Sequence, residues 1–157
     1  MTKRAAAEEL ERYRHCHPIA VRNYEIDWQK IVHNGNYLLY FEVARVDYFR
    51  QVGMDLDQRT ITGGTTIVVV RTELDHLAPA TFGDRLDVRT RIVSIGISSI
   101  RCEAVMTFAG TDTLVARNVC VMVWLEEGTG IPTRVPEYFR ERVRAFEGTQ
   151  VAMTGNQ

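Results

Sequence analysis

An α+β domain, with one antiparallel sheet curved around a single long helix, is what this 157-residue sequence predicts. Two patterns predict it. Apolar residues recur at three- and four-residue steps from Tyr37 to Tyr48, as on one face of a helix, and four strand-like runs follow, a β-branched one over 65–75 and then runs that include period-two alternation over 84–95 and 98–109. Size agrees, because a chain of this length forms one domain and buries about 68–70% of its unfolded surface, enough to dispense with a disulfide or metal staple.

Residues 4–14 (RAAAEELERYR) favour helix by propensity, with Glu and Arg at mutually supporting spacings but little apolar face, the signature of a loosely docked arm. Pro18 ends it, and Ile19 to Tyr24 alternate as a short first strand. The central helix begins near Asn34 or Asn36, either of which can cap it, carries Tyr37, Tyr40, Phe41, Ala44 and Tyr48, and stops at Gly53. A helix this aromatic needs a broad apolar surface, and a sheet supplies one. After a turn at Gly63-Gly64, strands are expected over 65–75, 84–95, 98–109 and 113–125, broken by turns at Pro79–Gly83, Gly96 and Gly110–Asp112. Pro136 opens a short terminal helix, where its missing N–H costs nothing. The division expected is an N-terminal helical arm over 1–17, one domain over 18–146 and a flexible C-terminal tail over 147–157.

Composition removes several classes of function. Lys and Arg number 19 against 20 Asp and Glu, a net charge of −1, without the basic excess of a dedicated nucleic-acid binder. No run approaches the roughly 18 apolar residues of a membrane span. Glu8, Glu9 and Glu11 occupy the place where a signal peptide needs an apolar run, so a cytoplasmic location is expected. Cys16, Cys102 and Cys120 are an odd, widely spaced set that indicates neither a disulfide framework nor a zinc site; Cys102 and Cys120 fall within strand-like runs as small core residues.

Chemistry concentrates in Tyr24 to Tyr37, an irregular stretch holding Asp27 and His33 just ahead of the aromatic helix. The first N–H groups of a helix lack intrahelical partners and its dipole favours negative charge there. Such donors, around Asn34 and Gly35, suit an oxyanion formed in acyl transfer, and a carboxylate such as Asp27 can act as nucleophile or base. Plainer roles compete: Asp27 capping the turn Trp28-Gln29-Lys30, His33 as a turn residue, and Glu42 paired with Arg45 across one helical turn.

Glu25-Ile26-Asp27, then His33-Asn34-Gly35-Asn36-Tyr37, then Phe41-Glu42-Val43-Ala44-Arg45 and finally Pro79-Ala80-Thr81-Phe82-Gly83-Asp84 follow one another in an order that resembles the hotdog-fold thioesterases of the 4-hydroxybenzoyl-CoA thioesterase type, including relatives that hydrolyse short acyl-CoAs. The likeness covers about residues 18–142. It implies a hotdog fold, a hydrolytic attack on an acyl-CoA thioester with Asp27 as the catalytic carboxylate, assistance from Asn34, Gly35 and His33, and an acyl pocket lined from the helix by Tyr37 and Phe41. It also implies homodimers or homotetramers with the active site at the subunit interface, and no metal or other cofactor. Two positions depart from the pattern: Lys30 stands where many relatives have Gly, and Asn34 where the short-acyl branch has His, with His33 one place earlier.

Coenzyme A carries phosphates, and Arg91 and Arg101, with Ser98 and Ser99 around the Gly96 hairpin, are the side chains expected to meet them, although polar residues alternating on a sheet also make an ordinary solvated face. A non-catalytic acyl-CoA-binding module and a thioesterase acting on acyl carrier protein are the alternatives retained; a hydratase ranks below them, since the acid precedes the helix in the thioesterase manner.

Overall fold

The structure, a computed structural model, describes residues 3–54 and 66–155. Helix α1 (Lys3–Leu10) leads into β1 (His17–Ala20), a 3-10 turn at Asn23–Glu25, and the central helix α2 (Asn34–Gln51). Strands β2 (Thr66–His76), β3 (Arg85–Ile95), β4 (Ser99–Phe108) and β5 (Leu114–Leu125) follow, then α3 (Glu137–Glu147), a 3-10 turn at Gly148–Gln150 and β6 (Ala152–Met153). The sheet order is β1-β3-β4-β5-β2, all antiparallel, with β6 added in parallel beside β3. Register shifts at Val69/Arg71, Ile92/Ser94 and Met106/Thr107 mark irregularities of the kind that bend a strand and sharpen its twist, and the sheet curves without closing.

The helix and the four long strands thus stand where the hydrophobic periods put them. The expected Gly63-Gly64 turn lies outside the described residues. The first strand is shorter and earlier than its alternation suggested, because the Glu25 carboxylate takes the Arg22 N–H (2.7 Å) and winds Asn23–Glu25 into a turn. The cap of α2 is His33 rather than Asn34 or Asn36: its Nδ1 accepts the Gly35 N–H at 3.1 Å. At the other end Gly53, at φ 81°, ends α2 as expected. In the C-terminal segment, Ala152 and Met153 pair with Ser94 and Ile95, which no pattern in the sequence announced.

Two buried clusters divide the core along α2. The first half of the helix (Tyr37, Tyr40, Phe41, Ala44) packs with Val21, Val32, Ala80, Leu86, Val88, Met106 and Val115. The second half (Tyr48, Phe49, Val52) packs with Ile92, Ile95, Ile100, Trp124 and α3 residues Phe139 and Val143. Cys102 and Cys120 face each other across β4 and β5 as free core thiols, and burial pushes the Cys102 thiol up to about 12. The second cluster is framed by polar ties. The Tyr48 hydroxyl donates to Glu147 Oε1 (2.6 Å), which also takes the Ile92 N–H (3.2 Å). Buried His15 bonds Asp47 of α2 through Nε2 at 3.0 Å, with His17 Nδ1 3.3 Å from the same oxygen. Arg140, fully buried, donates to four carbonyls: Val135 (3.1 Å), Thr154 (3.2 Å), Ile97 (3.3 Å) and Gly96.

The N-terminal segment crosses the face of the sheet opposite α2, where Glu9 pairs with Arg117 (2.7 Å) and the Tyr13 ring lies under the Arg91 guanidinium at 5.2 Å. No helix among the described residues is long and apolar enough to cross a membrane.

Candidate functional site

The loop between the 3-10 turn and α2 is closed by its own backbone. Ile26 bridges Val32, the Asp27 N–H donates to the Ile31 carbonyl (2.9 Å), and the Lys30 N–H donates to the Asp27 carbonyl (3.0 Å). The turn so formed puts Lys30 at φ 64°, left-handed backbone that favours glycine. The glycine common at this position in the resembling pattern therefore answers a backbone demand that Lys30 meets under strain. The Lys30 carbonyl in turn accepts the Thr81 hydroxyl (2.8 Å), joining this loop to the one between β2 and β3.

A cleft of about 540 Å³ opens between the two loops, lined by Asp27 through Asn34 except Lys30, by Tyr37 of α2 and by His76 through Pro79 at the end of β2. Asp27 is half-buried at its edge. One carboxylate oxygen accepts the Gln29 N–H at 2.7 Å, which is the turn-capping role; no protein donor meets the other oxygen among the described residues. Trp28, 88% exposed, stands on the rim. The N-terminus of α2 forms part of the wall. Its Asn34 N–H has no acceptor among the described residues, whereas the Gly35 N–H is held by the His33 imidazole. A ring that accepts at Nδ1 carries its proton, when neutral, on Nε2.

Buried Tyr37 and exposed His76 make one wall, ring to ring at 4.9 Å and nearly perpendicular. The Tyr37 hydroxyl accepts the Ala80 N–H (3.2 Å). Burial raises the Tyr37 phenol above its ordinary value, against the pull of that N–H and with help from the charges of Asp84 and Asp27. His76 was not singled out from the sequence: a polar residue ending an edge strand reads as solvated face, and only the fold brings it to Tyr37.

Of the residues expected at the site, Asp27, His33, Asn34 and Tyr37 line this cleft, with Gly35 next to them in the first turn of α2. Phe41 is buried one turn deeper in the core. Arg91 and Arg101 lie on the opposite face of the sheet, each bonded to Glu103 (3.1 and 3.4 Å). Ser98 and Ser99 sit in the β3–β4 hairpin between Ile95 and Ile100, which pack with the far half of α2, a helix about 27 Å long. Glu42 pairs with Arg45 across one turn, as the spacing suggested. Among the described residues no group of three or more His, Cys, Asp or Glu is placed to hold a metal ion.

Sequence reasoning also missed the place of Glu25. Buried to 5% exposure, its carboxylate accepts the Tyr40 hydroxyl (2.6 Å), the Arg22 N–H (2.7 Å) and two guanidinium bonds from Arg22 (2.6 and 2.9 Å). Its carbonyl accepts the His33 N–H (2.9 Å) and the Asn36 side-chain amide (2.8 Å). Burial alone would raise the Glu25 carboxyl; the bonds from Arg22 and Tyr40 outweigh it and hold the group below its ordinary value. The available signals were an Arg three residues before an acid and a helix tyrosine on the buried face.

Known proteins resemble this chain in sequence and in fold. The family described as "Thioesterase-like superfamily" matches residues 21–143. A thioesterase from Thermus thermophilus, solved with coenzyme A and Zn, is 36% identical, with a TM-score of 0.76 over 88% of this chain and 97% of that one. The fold of Slr0204, a 1,4-dihydroxy-2-naphthoyl-CoA thioesterase from Synechocystis, superimposes with a TM-score of 0.75 at 19% identity, over 82% and 94% of the two chains. An Arabidopsis thaliana chloroplastic protein named acyl-acyl carrier protein thioesterase ATL2 is 27% identical over 129 residues, 82% of this chain and 68% of that protein. The chain belongs to the thioesterase-like superfamily, as a thioester hydrolase of the hotdog fold.

Proposed function

We propose that this chain hydrolyses acyl-CoA thioesters to the carboxylic acid and free CoA, with Asp27 as the reacting carboxylate. The observation that carries the proposal is the cleft itself, bordered by Asp27 and Asn34: among the described residues, one Asp27 carboxylate oxygen meets no protein donor and the Asn34 N–H at the start of α2 meets no acceptor. A thioester bound there lies between a nucleophile or base and a donor aimed at its oxygen. One well-placed oxyanion donor is worth about 3 kcal/mol in the transition state. The Gly35 N–H becomes a second donor when the His33 ring swings away from it. Asp27 acts either by attacking the carbonyl carbon and expelling the CoA thiolate, which leaves an acyl-enzyme anhydride that water opens to the free acid and the regenerated carboxylate, or by taking a proton from a water that attacks the carbonyl, the C–S bond breaking and the thiolate leaving with that proton as free CoA.

The relatives named as acting on acyl carrier protein support a second thioester carrier for the same cleft. The coenzyme A-bound Thermus neighbour, the more similar of the two, favours CoA. The working unit of this reading is a homodimer or homotetramer in the cytoplasm with the cleft at the subunit interface. Among the described residues no strand pairs with the outer edge of β2, where Val69 and Val70 are exposed, and Leu38, Leu39 and Val43 of α2 are exposed as well. Arg91 and Arg101, with Ser98 and Ser99, do not border the cleft of their own chain, so a role for them toward the nucleotide of CoA belongs to such an assembly.

Release of free thiol from a panel of acyl-CoAs and acyl carrier proteins tests the reading. Wild type turns over and Asp27→Ala loses at least about 100-fold in kcat while remaining folded. Binding without turnover in wild type makes the chain an acyl-CoA-binding module instead. Oxygen from labelled water appearing in the Asp27 side chain during a single turnover identifies nucleophilic attack; hydroxylamine trapping of an acyl-enzyme anhydride identifies it as well where the label goes to the product acid alone.

A further inference from the structure

We infer that Glu25 is a positioning residue for the reaction, a buried carboxylate that sets where Asp27 stands relative to the mouth of α2. The inference rests on the hydrolase reading and goes beyond it. Hydrolysis requires the carboxylate of Asp27 and the first N–H groups of α2 to face one reacting atom, and effects of this kind depend on placement within a fraction of an ångström. The two groups belong to different elements, and Glu25 is where the elements are joined. Two residues before Asp27, it contacts α2 at three successive levels: the cap His33 by its carbonyl, Asn36 in the first turn by the same carbonyl, and Tyr40 one turn on by its carboxylate. The remaining lone pairs are filled by Arg22, which stabilises the carboxylate without reaching the cleft lining.

The loop beyond Glu25 has little freedom to compensate. The Ile26–Val32 bridge and the Asp27-to-Ile31 bond make residues 26–32 a closed unit, so a rotation at Glu25 carries Asp27 with it. A purely structural acid would be interchangeable with any group that preserved the fold. A positioning acid is read in the chemical step even when the fold is intact, because Glu25→Gln keeps the shape but sets an NH2 group against a donor, either Tyr40 or Arg22.

The experiment compares wild type with Glu25→Gln, Tyr40→Phe, Asp27→Ala and, as a stability control at the far end of α2, Arg140→Met. Readouts are kcat, KM, affinity for a non-hydrolysable acyl-CoA thioether, and amide hydrogen exchange. Glu25→Gln is expected to lower kcat about 10- to 100-fold with KM and thioether affinity within about 2-fold of wild type, and to speed exchange in residues 26–34 but not in β3–β5. Tyr40→Phe, losing a single bond, is expected to lose a few-fold in kcat. The assignment is overturned if Glu25→Gln turns over at the wild-type rate, or if its loss is matched by Arg140→Met at equal residual stability. Full turnover in Glu25→Gln beside an inactive Asp27→Ala removes the positioning role alone. A wild type that releases no thiol from any substrate removes the hydrolase reading and this role with it.

Discussion

Replacing Arg140 by Met isolates what a buried cation bonded to carbonyls, with no ion pair among the described residues, contributes to this fold. The guanidinium donates to the carbonyls of Gly96, Ile97, Val135 and Thr154, tying the β3–β4 hairpin, the entry to α3 and the β6 segment to one side chain. Methionine keeps most of the aliphatic stem. The Ile97 carbonyl retains the Val135 N–H (2.8 Å), and Thr154 is exposed, so water can take the donor's place there. Gly96 and Val135 are left as the two acceptors without a replacement. At about 1–3 kcal/mol for the buried Val135 carbonyl and less for that of half-buried Gly96, the loss is about 2–5 kcal/mol. Removing a charge that burial disfavours returns part of it, since burial already lowers the Arg140 pKa. The net expectation is about 3 kcal/mol, or a fall of about 6–12 °C in Tm for a domain of this size. Urea denaturation followed by circular dichroism measures it. Arg140→Lys should lose a similar amount, because one ammonium cannot span the acceptors that a planar fork reaches. A loss under about 1 kcal/mol for Arg140→Met would refute the reasoning, showing that desolvation of the cation cancels its bonds. The cleft lies at the other end of α2, so kcat well below the transition is expected to stay at the wild-type value.

Further expectations follow from the same geometry. Lys30→Gly relieves left-handed backbone worth about 1–2 kcal/mol but adds about 0.5–1 kcal/mol of unfolded-state entropy, so a stability raised by up to about 1.5 kcal/mol in urea titration is expected, with KM unchanged unless the ammonium holds substrate. Burial, the largest influence on His15, lowers its pKa below 6.5 despite the Asp47 bond. Because the folded value is the lower one, its contribution to stability is full above pH 6.5 and is lost as pH falls through the folded value; urea midpoints from pH 7.5 to 5 should fall less steeply in His15→Gln. Glu147 has the opposite sign. Burial raises its carboxyl above 4.5, so its contribution is full below that pH and is lost as pH rises through the folded value. Glu147→Gln, which keeps an oxygen for Tyr48, should therefore be better tolerated at pH 7 than at pH 4, as paired urea titrations would show.

What the sequence disclosed of the architecture was whatever repeats with a fixed period. α2 and the four long strands follow from steps of three, four and two residues, and the order of turns constrained how they connect. β6 escaped because two residues have no period, and they are recruited by the backbone edge of Ser94–Ile95 rather than by side-chain pattern. At the site, Asp27 and the start of α2 were legible because both lie in one short stretch. Glu25 and His76 were not, since the meaning of each comes from a partner 15 or 39 residues away, Tyr40 and Tyr37, that only the closed fold brings near. His33 was legible as a residue of the turn but not as the cap, which depends on its ring reaching a backbone N–H two positions on. Arg91 and Arg101 illustrate the limit of residue type: arginines suited to phosphate are, in the folded chain, occupied by Glu103 and, for Arg91, covered by Tyr13.

The two interior clusters follow one another along α2 and along β3, β4 and β5, with no residue in both. Substitutions drawn from separate clusters and sharing no neighbour should combine additively, within about 0.5 kcal/mol. On the proposed function, an engineer can therefore reshape the cleft around Tyr37 and His76 and recover lost robustness around Phe139 and Trp124, treating the molecule as two workshops on one shaft.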